Sequence, residues 1–395
     1  MGTLGILHTA RRCARIPVVA WVLAGVLLAI SVIFWLAGHG LGVDSAVYRA
    51  GALAVLHGDP LYLPLTGEPP WAPPLPFAYP PVAALQFFPL VLVPAQLSWG
   101  VIAALSMLAL GGVLRVTMPG QRGLTVAVTL LAVLALEPVW RTLALGQLNL
   151  VLMGLVVLDV LVLRGSRWSG VLVGLASAIK LTPLIFVLHL ALTGRRADAL
   201  RAMGTFVAVN TFAELVLPGD TALFWGTALI DGNDATTNSW IGNQSLNGIV
   251  QRLAGEGLAT LVAVGVLAAA CLAVSGVVVR RLHGRGEHLG ALLVTAFCGL
   301  LVSPVSWTHH WVWMVPLVAF LVPRALRGAA WARVSLAAIA VVGTGWEFFV
   351  VRSGAHVELQ WSVLEALPGN AYVLAVLCLA AFVLLRMRRS GMMAT

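Results

Sequence analysis

The chain carries 24 lysines and arginines but a single lysine, Lys180, which lies in the apolar stretch Ile179-Lys180-Leu181-Thr182-Pro183. An ammonium at membrane depth costs about 2.5–3.5 kcal/mol on insertion scales, so it persists where an anion, a cavity or a catalytic task needs it. Asp44 is the candidate acid/base group. It follows an apolar run by a few residues, in Gly42-Val43-Asp44-Ser45-Ala46-Val47-Tyr48. There a carboxylate is near enough to a membrane surface to take a proton from the hydroxyl of a lipid-borne substrate. A helix N-cap before Val47 accounts for the same aspartate, and the residue types alone favour the cap.

Further polar clusters follow. Glu137-Pro138-Val139-Trp140-Arg141 precedes Gly146-Gln147-Leu148-Asn149; Arg141 can pair with Glu137 one turn away, and Asn149 can cap the next helix. The segment Ser303 to Trp311 sets His309 and His310 in an aromatic context at a helix junction, where they could donate to a phosphate or a sugar. As metal ligands the two are weak, because adjacent histidines without a supporting Asp/His pattern make no recognised site. There is no nucleotide-binding glycine loop, Walker motif or zinc-type Cys/His spacing, so neither a metal nor a cofactor is expected. Asn243-Gln244-Ser245 matches a glycosylation acceptor, a short pattern with many chance occurrences. Asp159, inside an apolar run, reads as a packed polar group.

The elements that position these residues must be membrane helices. Hydrophobic residues make up 60% of the chain and charged residues 10%, with mean hydropathy +0.97, whereas soluble domains are about half apolar and about a quarter charged. The formal charge of +9 does not mark a nucleic-acid binder, because the arginines punctuate apolar runs. They cluster at Arg11–Arg15, Arg115–Arg122, Arg164–Arg167, Arg195–Arg201, Arg280–Arg285, Arg324–Arg333 and Arg386–Arg389. The intervening segments hold most of the acids, including Asp44, Asp59, Glu68, Glu137, Asp220, Asp231, Asp234, Glu256, Glu358 and Glu365. The positive-inside rule then puts the acidic loops outside and both termini in the cytoplasm. The four cysteines (Cys13, Cys271, Cys298 and Cys378) avoid the outer loops, so no disulfide framework is expected.

Apolar runs fall near 16–38, 95–114, 123–137, 148–163, 202–217, 257–279, 288–303, 310–323, 332–350 and 370–386. The run 168–193 is flanked by arginines on both sides and broken at Lys180 to Pro183, which predicts two short helices meeting at Lys180 on the floor of an outward-facing cavity. Each arm of about a dozen residues spans roughly 17–18 Å, short of a hydrocarbon core of about 30 Å. With both arms counted, the expectation is an all-α membrane protein of about twelve transmembrane helices, one domain over residues 1–395. Val82 to Val93, bracketed by prolines, is expected along the membrane interface. Most of the 14 tryptophans fall near outer helix ends as belt anchors.

In order, Asp44 to Tyr48, Phe77-Ala78-Tyr79-Pro80-Pro81, Glu137 to Arg141, Gly146 to Asn149, Lys180 to Pro183, Asn243 to Ser245 and Ser303 to Trp311 resemble glycosyltransferase family 87. These are actinobacterial polyprenyl-phosphate-mannose-dependent α-mannosyltransferases of the GT-C type. The resemblance implies a GT-C bundle in the plasma membrane with short outer-face loops and an outward active site. It also implies inverting transfer of mannose from polyprenyl-phosphate-mannose to a glycolipid acceptor of the phosphatidylinositol mannoside or lipomannan type. Asp44 would be the base; Lys180, Arg141, His309 and His310 would face the donor phosphate. Tyr48, Tyr79, Gln147, Asn149, Asn243, Gln244 and Trp307 would line the sugar and acceptor sites. Mannolipid-building members often carry Asp-Leu-His-Val-Tyr where this chain has Asp44-Ser45-Ala46-Val47-Tyr48, which leaves the base and changes its neighbours. A polyprenyl-phospho-arabinofuranose donor is the alternative within this architecture. A transporter or lipid flippase is the alternative outside it, and it predicts repeat symmetry that the sequence does not show.

Overall fold

The computed structural model describes residues 16–389 apart from 64–68, 70, 73–74 and 230–234. Arg11, Arg12, Arg15, Glu68, Asp231 and Asp234 therefore lie outside the described residues. What is described is all-helical; the only extended pairing among these residues is an isolated bridge between Asn243 and Trp307. The helices that matter for the site are α1 (Val18–Leu36), α2 (Val43–His57), α3 (Ala95–Thr117), α4 (Arg122–Ala135), α5 (Glu137–Leu145), α6 (Asn149–Val157), α7 (Val171–Ile179), α8 (Ile185–Leu192) and α9 (Arg196–Val216). They continue with α10 (Leu258–Gly284), α11 (His288–Val302), α12 (Met314–Leu326), α13 (Ala330–Val342) and α14 (Ala371–Arg389).

Four of these, α1, α3, α9 and α10, are long and apolar enough to cross a bilayer. The count rises to six if the bent pairs, α4 with α5 at 67° and Val363–Gly369 with the start of α14 at 75°, are each one crossing. This is a multi-pass membrane protein. Shorter apolar helices, among them Asn149–Val162, Thr182–Leu192, His288–Val302 and Ala330–Val342, lie in runs where the sequence predicts further crossings.

Burial separates the post of the bundle from its rim. In α3, 67% of the apolar window is buried, whereas in α1 and α10 the figures are 17% and 11%, so those two present apolar surface outward. The buried residues of α1 are Ala20, Ala24 and Ser31, a small-residue stripe that lies against Gly100 and Gly111 of α3. A Cβ at Gly111 would fall 2.6 Å from that of Ala20. Small residues on both sides let the helices approach closely, which is how helices associate where lipid removes the hydrophobic driving force.

The break at Lys180 has a local cause. Pro183 has no amide to donate to the carbonyl of Ile179 and its ring would collide with it. Accordingly α7 ends at Ile179, Lys180 is extended (φ −147°, ψ 134°), and a 3-10 turn over Thr182–Leu184 leads into α8. At nine residues, α7 is shorter than the expected dozen. Its start is fixed from another helix: buried Asp159 accepts from the amides of Gly170 (2.6 Å) and Val173 (3.0 Å), so this aspartate is the packed polar group its setting suggested. The proline-bracketed segment forms a helix over Pro81–Gln86 and a 3-10 turn over Phe88–Leu92, with Ala83 and Ala84 buried and Leu92 exposed.

Candidate active site

Asp44 is the second residue of α2, and Gly42, in the left-handed region, takes the N-cap position without a side-chain cap bond. The cap reading of Asp44 therefore does not hold. Its carboxylate turns instead to Gln147, whose Nε2 donates to Oδ2 at 2.7 Å. The other end of that amide is fixed by two phenols: Tyr48 donates to Gln147 Oε1 at 2.8 Å and Tyr79 at 3.2 Å, and the two hydroxyls lie 2.9 Å apart. With Oε1 committed to two donors, Nε2 must point at Asp44. Burial raises both phenols, so they remain protonated donors. Burial also lifts the Asp44 carboxyl above its ordinary 3.8, while the Gln147 hydrogen bond and the nearby Lys180 and Arg141 cations act to lower it.

Lys180 belongs to the same cluster. Its Nζ donates to Asn149 Oδ1 at 3.2 Å, lies 2.9 Å from His310 Nε2, and sits 5.7 Å from the centroid of the Tyr79 ring. Tyr79 thus joins the two halves of the site, its ring toward Lys180 and its hydroxyl toward Gln147. An ammonium only donates, so Nε2 of His310 must be the acceptor and the ring proton resides on Nδ1. That Nδ1 has no bonded partner among the described residues, and neither ring nitrogen of buried His309 has one. Lys180 has no carboxylate partner within ion-pair distance among the described residues. Asn149 does not cap α6, because Leu148 holds the cap position; its Nδ2 donates to the carbonyl of His309 at 3.0 Å, alongside Thr142 Oγ1 at 3.0 Å.

Arg141 pairs with fully buried Glu137 at 3.2 Å, as the one-turn spacing predicts. The guanidinium also stands over Phe348 (4.8 Å to the centroid) and Trp240 (5.5 Å). Glu137 is a hub. Thr308 donates to Oε1 at 2.7 Å and Tyr372 of α14 to Oε2 at 2.9 Å, while its amide reaches the carbonyl of Gly343 at 2.5 Å. One carboxylate therefore holds Arg141, the turn that carries His309 and His310, and the last helix in place. Glu137→Ala leaves three donors unpaired, and breaking a buried ion pair from one side costs about 3–5 kcal/mol. We expect a clear drop in the thermal midpoint of the purified protein, much larger than that of Glu365→Ala at an exposed pair. An unchanged midpoint would remove Glu137 as the organiser.

The structure gives Asn243 and Gln244 backbone partners. Asn243 Nδ2 donates to the carbonyls of Asn238 (2.9 Å) and Pro304 (3.1 Å), and its Oδ1 accepts from the amide of Ser306 at 2.9 Å. Gln244 Nε2 donates to the carbonyls of Ile241 (2.7 Å) and Gly369 (2.8 Å). Both residues are fully buried, so the tripeptide presents no accessible glycosylation amide, and Ser245 instead caps the next helix through Gly248 N at 3.0 Å. These amides pin the chain that leads into the histidine turn, and Trp307 packs edge-on against Trp240 at 5.3 Å. Sequence reading passed over Thr142, Thr308, Tyr372 and the buried hub Arg252, which bonds Asn370 and the carbonyls of Trp240 and Asn243. Rarity was one available signal. The chain has four tyrosines, and the hydroxyls of Tyr48, Tyr62, Tyr79 and Tyr372 all bond within these networks, Tyr62 to the carbonyl of Tyr79 at 2.7 Å.

A carboxylate held by an oriented amide, with an unneutralised ammonium and two histidines beside it, suits proton abstraction next to a developing anion. Comparison with known proteins leads in the same direction. The model of glycosyltransferase family 87 matches residues 77–304, a span that takes in Tyr79, Arg141, Gln147, Asn149, Lys180, Asn243 and Gln244. A polyprenol-phosphate-mannose-dependent alpha-(1-2)-phosphatidylinositol pentamannoside mannosyltransferase of Mycobacterium tuberculosis (strain CDC 1551 / Oshkosh) is 34% identical over 392 residues, covering 93% of this chain and 88% of that protein. A protein of the same description from Mycolicibacterium smegmatis is 32% identical, covering 93% of each. A polyprenol-phosphate-mannose-dependent alpha-(1-2)-phosphatidylinositol mannoside mannosyltransferase of Mycobacterium tuberculosis (strain ATCC 25618 / H37Rv) is 31% identical over 90% of this chain and 84% of its own length. No solved structure matches. With the family's model matched over more than half its length and such relatives running nearly end to end, the chain belongs to glycosyltransferase family 87.

Proposed function

We propose that this protein transfers mannose, with inversion, from polyprenyl-phosphate-mannose to a lipid-linked glycan acceptor of the phosphatidylinositol mannoside or lipomannan type, forming an α-1,2 linkage. The relatives' named substrates support the donor and acceptor classes. The observation that carries the mechanism is the single cluster in which Asp44, through Gln147 and Tyr79, adjoins Lys180 and His310.

Asp44 takes the proton from the acceptor hydroxyl as its oxygen attacks the anomeric carbon. The bond from that carbon to the phosphate oxygen breaks, and polyprenyl phosphate leaves. Charge grows on the leaving phosphate, where Lys180, the Nδ1–H of His310, His309 and Arg141 supply donors. Tyr48 and Gln147 hold the base, and Asn149 holds Lys180 and the His309 carbonyl; with Tyr79 they stand where sugar hydroxyls would lie. Trp307, Asn243 and Gln244 shape the wall of the acceptor side. Transfer of labelled mannose from synthetic polyprenyl-phosphate-mannose to membrane glycolipid by the purified protein tests the reading. A protein that moves only arabinofuranose, or only carries lipid across the bilayer, defeats it.

The topology that goes with this function is one domain over the whole chain, with both termini cytoplasmic and about twelve membrane helices, the two short arms of the hairpin at Lys180 counted among them, so that Asp44 and the histidine turn face outward. The charge placement and the extended backbone at Lys180 support it. Cysteines introduced beside Asp44 and at Pro304 should react with impermeant reagents from outside, and cysteines beside Arg164 and Arg196 only from inside. Labels at 164 and 196 on opposite faces would rule out the hairpin.

A further inference from the structure

α6 starts in the active site at Asn149, and its continuation Leu158–Val162 delivers the chain to Arg164 at the opposite, arginine-rich end of the bundle. There Arg164 places Nη1 2.5 Å from Nε2 of His288, the first residue of α11. The His288 ring in turn lies 4.7 Å from that of His283, in the last turn of α10. A guanidinium only donates, so Nε2 accepts and the His288 proton resides on Nδ1. That Nδ1 is buried and has no partner among the described residues.

The acids of this end are committed elsewhere. Glu287, beside His288 in the chain, pairs with Arg324 at 3.0 Å. Asp198 pairs with Arg195 and Arg201 and accepts from Ser169, while Asp159 is taken up by the amides of Gly170 and Val173. Arg164 has no carboxylate within ion-pair distance among the described residues, and the charge of Arg195 also reaches His283 and His288. The positive-inside rule asks only for arginines in such loops; it does not explain why one of them and two imidazoles close on a single point.

The cluster stands at the level of lipid headgroups. Trp168, in the same link as Arg164, is 56% exposed with Arg167 5.1 Å over its ring, an amphipathic anchor of the kind that sits at the membrane interface. Val274 and Val277, earlier on α10, present exposed apolar surface. A ligand with an anionic group for the cluster and acyl chains for that surface is an anionic phospholipid, the class that basic pockets between membrane helices take up on the cytoplasmic side. We propose that Arg164, His283 and His288 bind the phosphate of such a lipid in the cytoplasmic leaflet. The choice of leaflet rests on the topology proposed above, whereas the phosphate chemistry rests on the cluster alone.

The experiment is native mass spectrometry of the full-length protein in detergent, titrated with phosphatidylglycerol and with phosphatidylcholine of the same acyl chains. Phosphatidylglycerol should bind several-fold more tightly, and Arg164→Gln should weaken it about five- to tenfold. Arg122→Gln, which removes the same charge from the basic cluster at the start of α4, should leave it nearly unchanged. No preference between the lipids, or equal losses in the two variants, would reduce the cluster to diffuse surface charge and overturn the proposal. Loss of phosphatidylglycerol in Lys180→Met but not in Arg164→Gln would overturn it by assigning the lipid to the active site. Inorganic phosphate that displaces phosphatidylglycerol at equal concentration would make the ligand a soluble ion and defeat the lipid assignment. Should Arg164→Gln fail to fold, His288→Gln carries the same comparison, because glutamine still accepts from Arg164 and lacks the second ring donor. Binding in detergent is blind to sidedness, so an error in the topology shows in the cysteine labelling and not here.

Discussion

Asp44→Asn is expected to yield a folded, donor-binding protein whose mannose transfer is reduced about 10²–10⁴-fold, the range typical for loss of a positioned general base. The substitution is nearly isosteric, and its side-chain oxygen can still accept from Gln147 Nε2, so the Tyr48, Tyr79 and Gln147 network has no reason to rearrange. What disappears is the capacity to take a proton at neutral pH. Since Gly42 holds the cap position, the substitution loses no cap bond, only the small favourable interaction of a first-turn carboxylate with the helix dipole. Transfer rate, donor binding and thermal midpoint should be measured on one preparation. Near-normal transfer would remove Asp44 as the base and shift suspicion to Glu137 or the histidines.

The pH profile follows from the same carboxylate. Its folded value lies above the ordinary 3.8, chiefly through burial, and as the proposed base it works only when deprotonated. Activity should therefore fall as pH drops through that raised value, sooner than an exposed carboxylate would allow. Removing a bond that favours the charged form, as in Gln147→Leu, should move the acid limb to still higher pH. An acid limb that stays in place in Gln147→Leu would show that a different group governs it.

Local chemistry made part of this site readable in the chain. Pro183 dictates where α7 stops because its effect reaches only four residues back, to Ile179. Glu137 and Arg141 meet because they are one helical turn apart. The single lysine in an apolar run was conspicuous by its desolvation cost alone. By contrast, the base-or-cap question at Asp44 could not be settled locally, since its partner Gln147 is 103 residues away. Thr308 and Tyr372 reach Glu137 across 171 and 235 residues, and such pairings leave no periodic trace. The amides of Asn243 and Gln244 were visible as polar groups in the right region, but backbone carbonyls of neighbouring segments decide which way they face. Crossing number suffers similarly. Helices such as α11 and α13, at 15 and 13 residues, are apolar without being long enough to declare a span by themselves.

Lys180→Met should lower turnover about 10²–10³-fold, as losing one preorganised donor to a developing anion does, and should weaken inhibition by the product polyprenyl phosphate. Methionine keeps much of the side-chain length and packs readily in an irregular apolar gap, so the change isolates the charge. Two structural facts favour a functional cation over a tolerated cost. Its bonded partners, Asn149 Oδ1 and His310 Nε2, are neutral acceptors, so the charge remains available to a ligand. Its backbone is extended at the end of α7 rather than helical, which sends the side chain toward Tyr79 and His310 instead of along the helix to an interface where a lysine could reach water. Removing it also frees His310 Nε2, so His310 loses the partner that fixed its tautomer, and His310→Ala in the Lys180→Met background should cost far less than in the parent. Full additivity of the two losses would mean that they act on different charges. Normal turnover in folded Lys180→Met would reduce the lysine to a tolerated membrane residue and leave the leaving phosphate to Arg141.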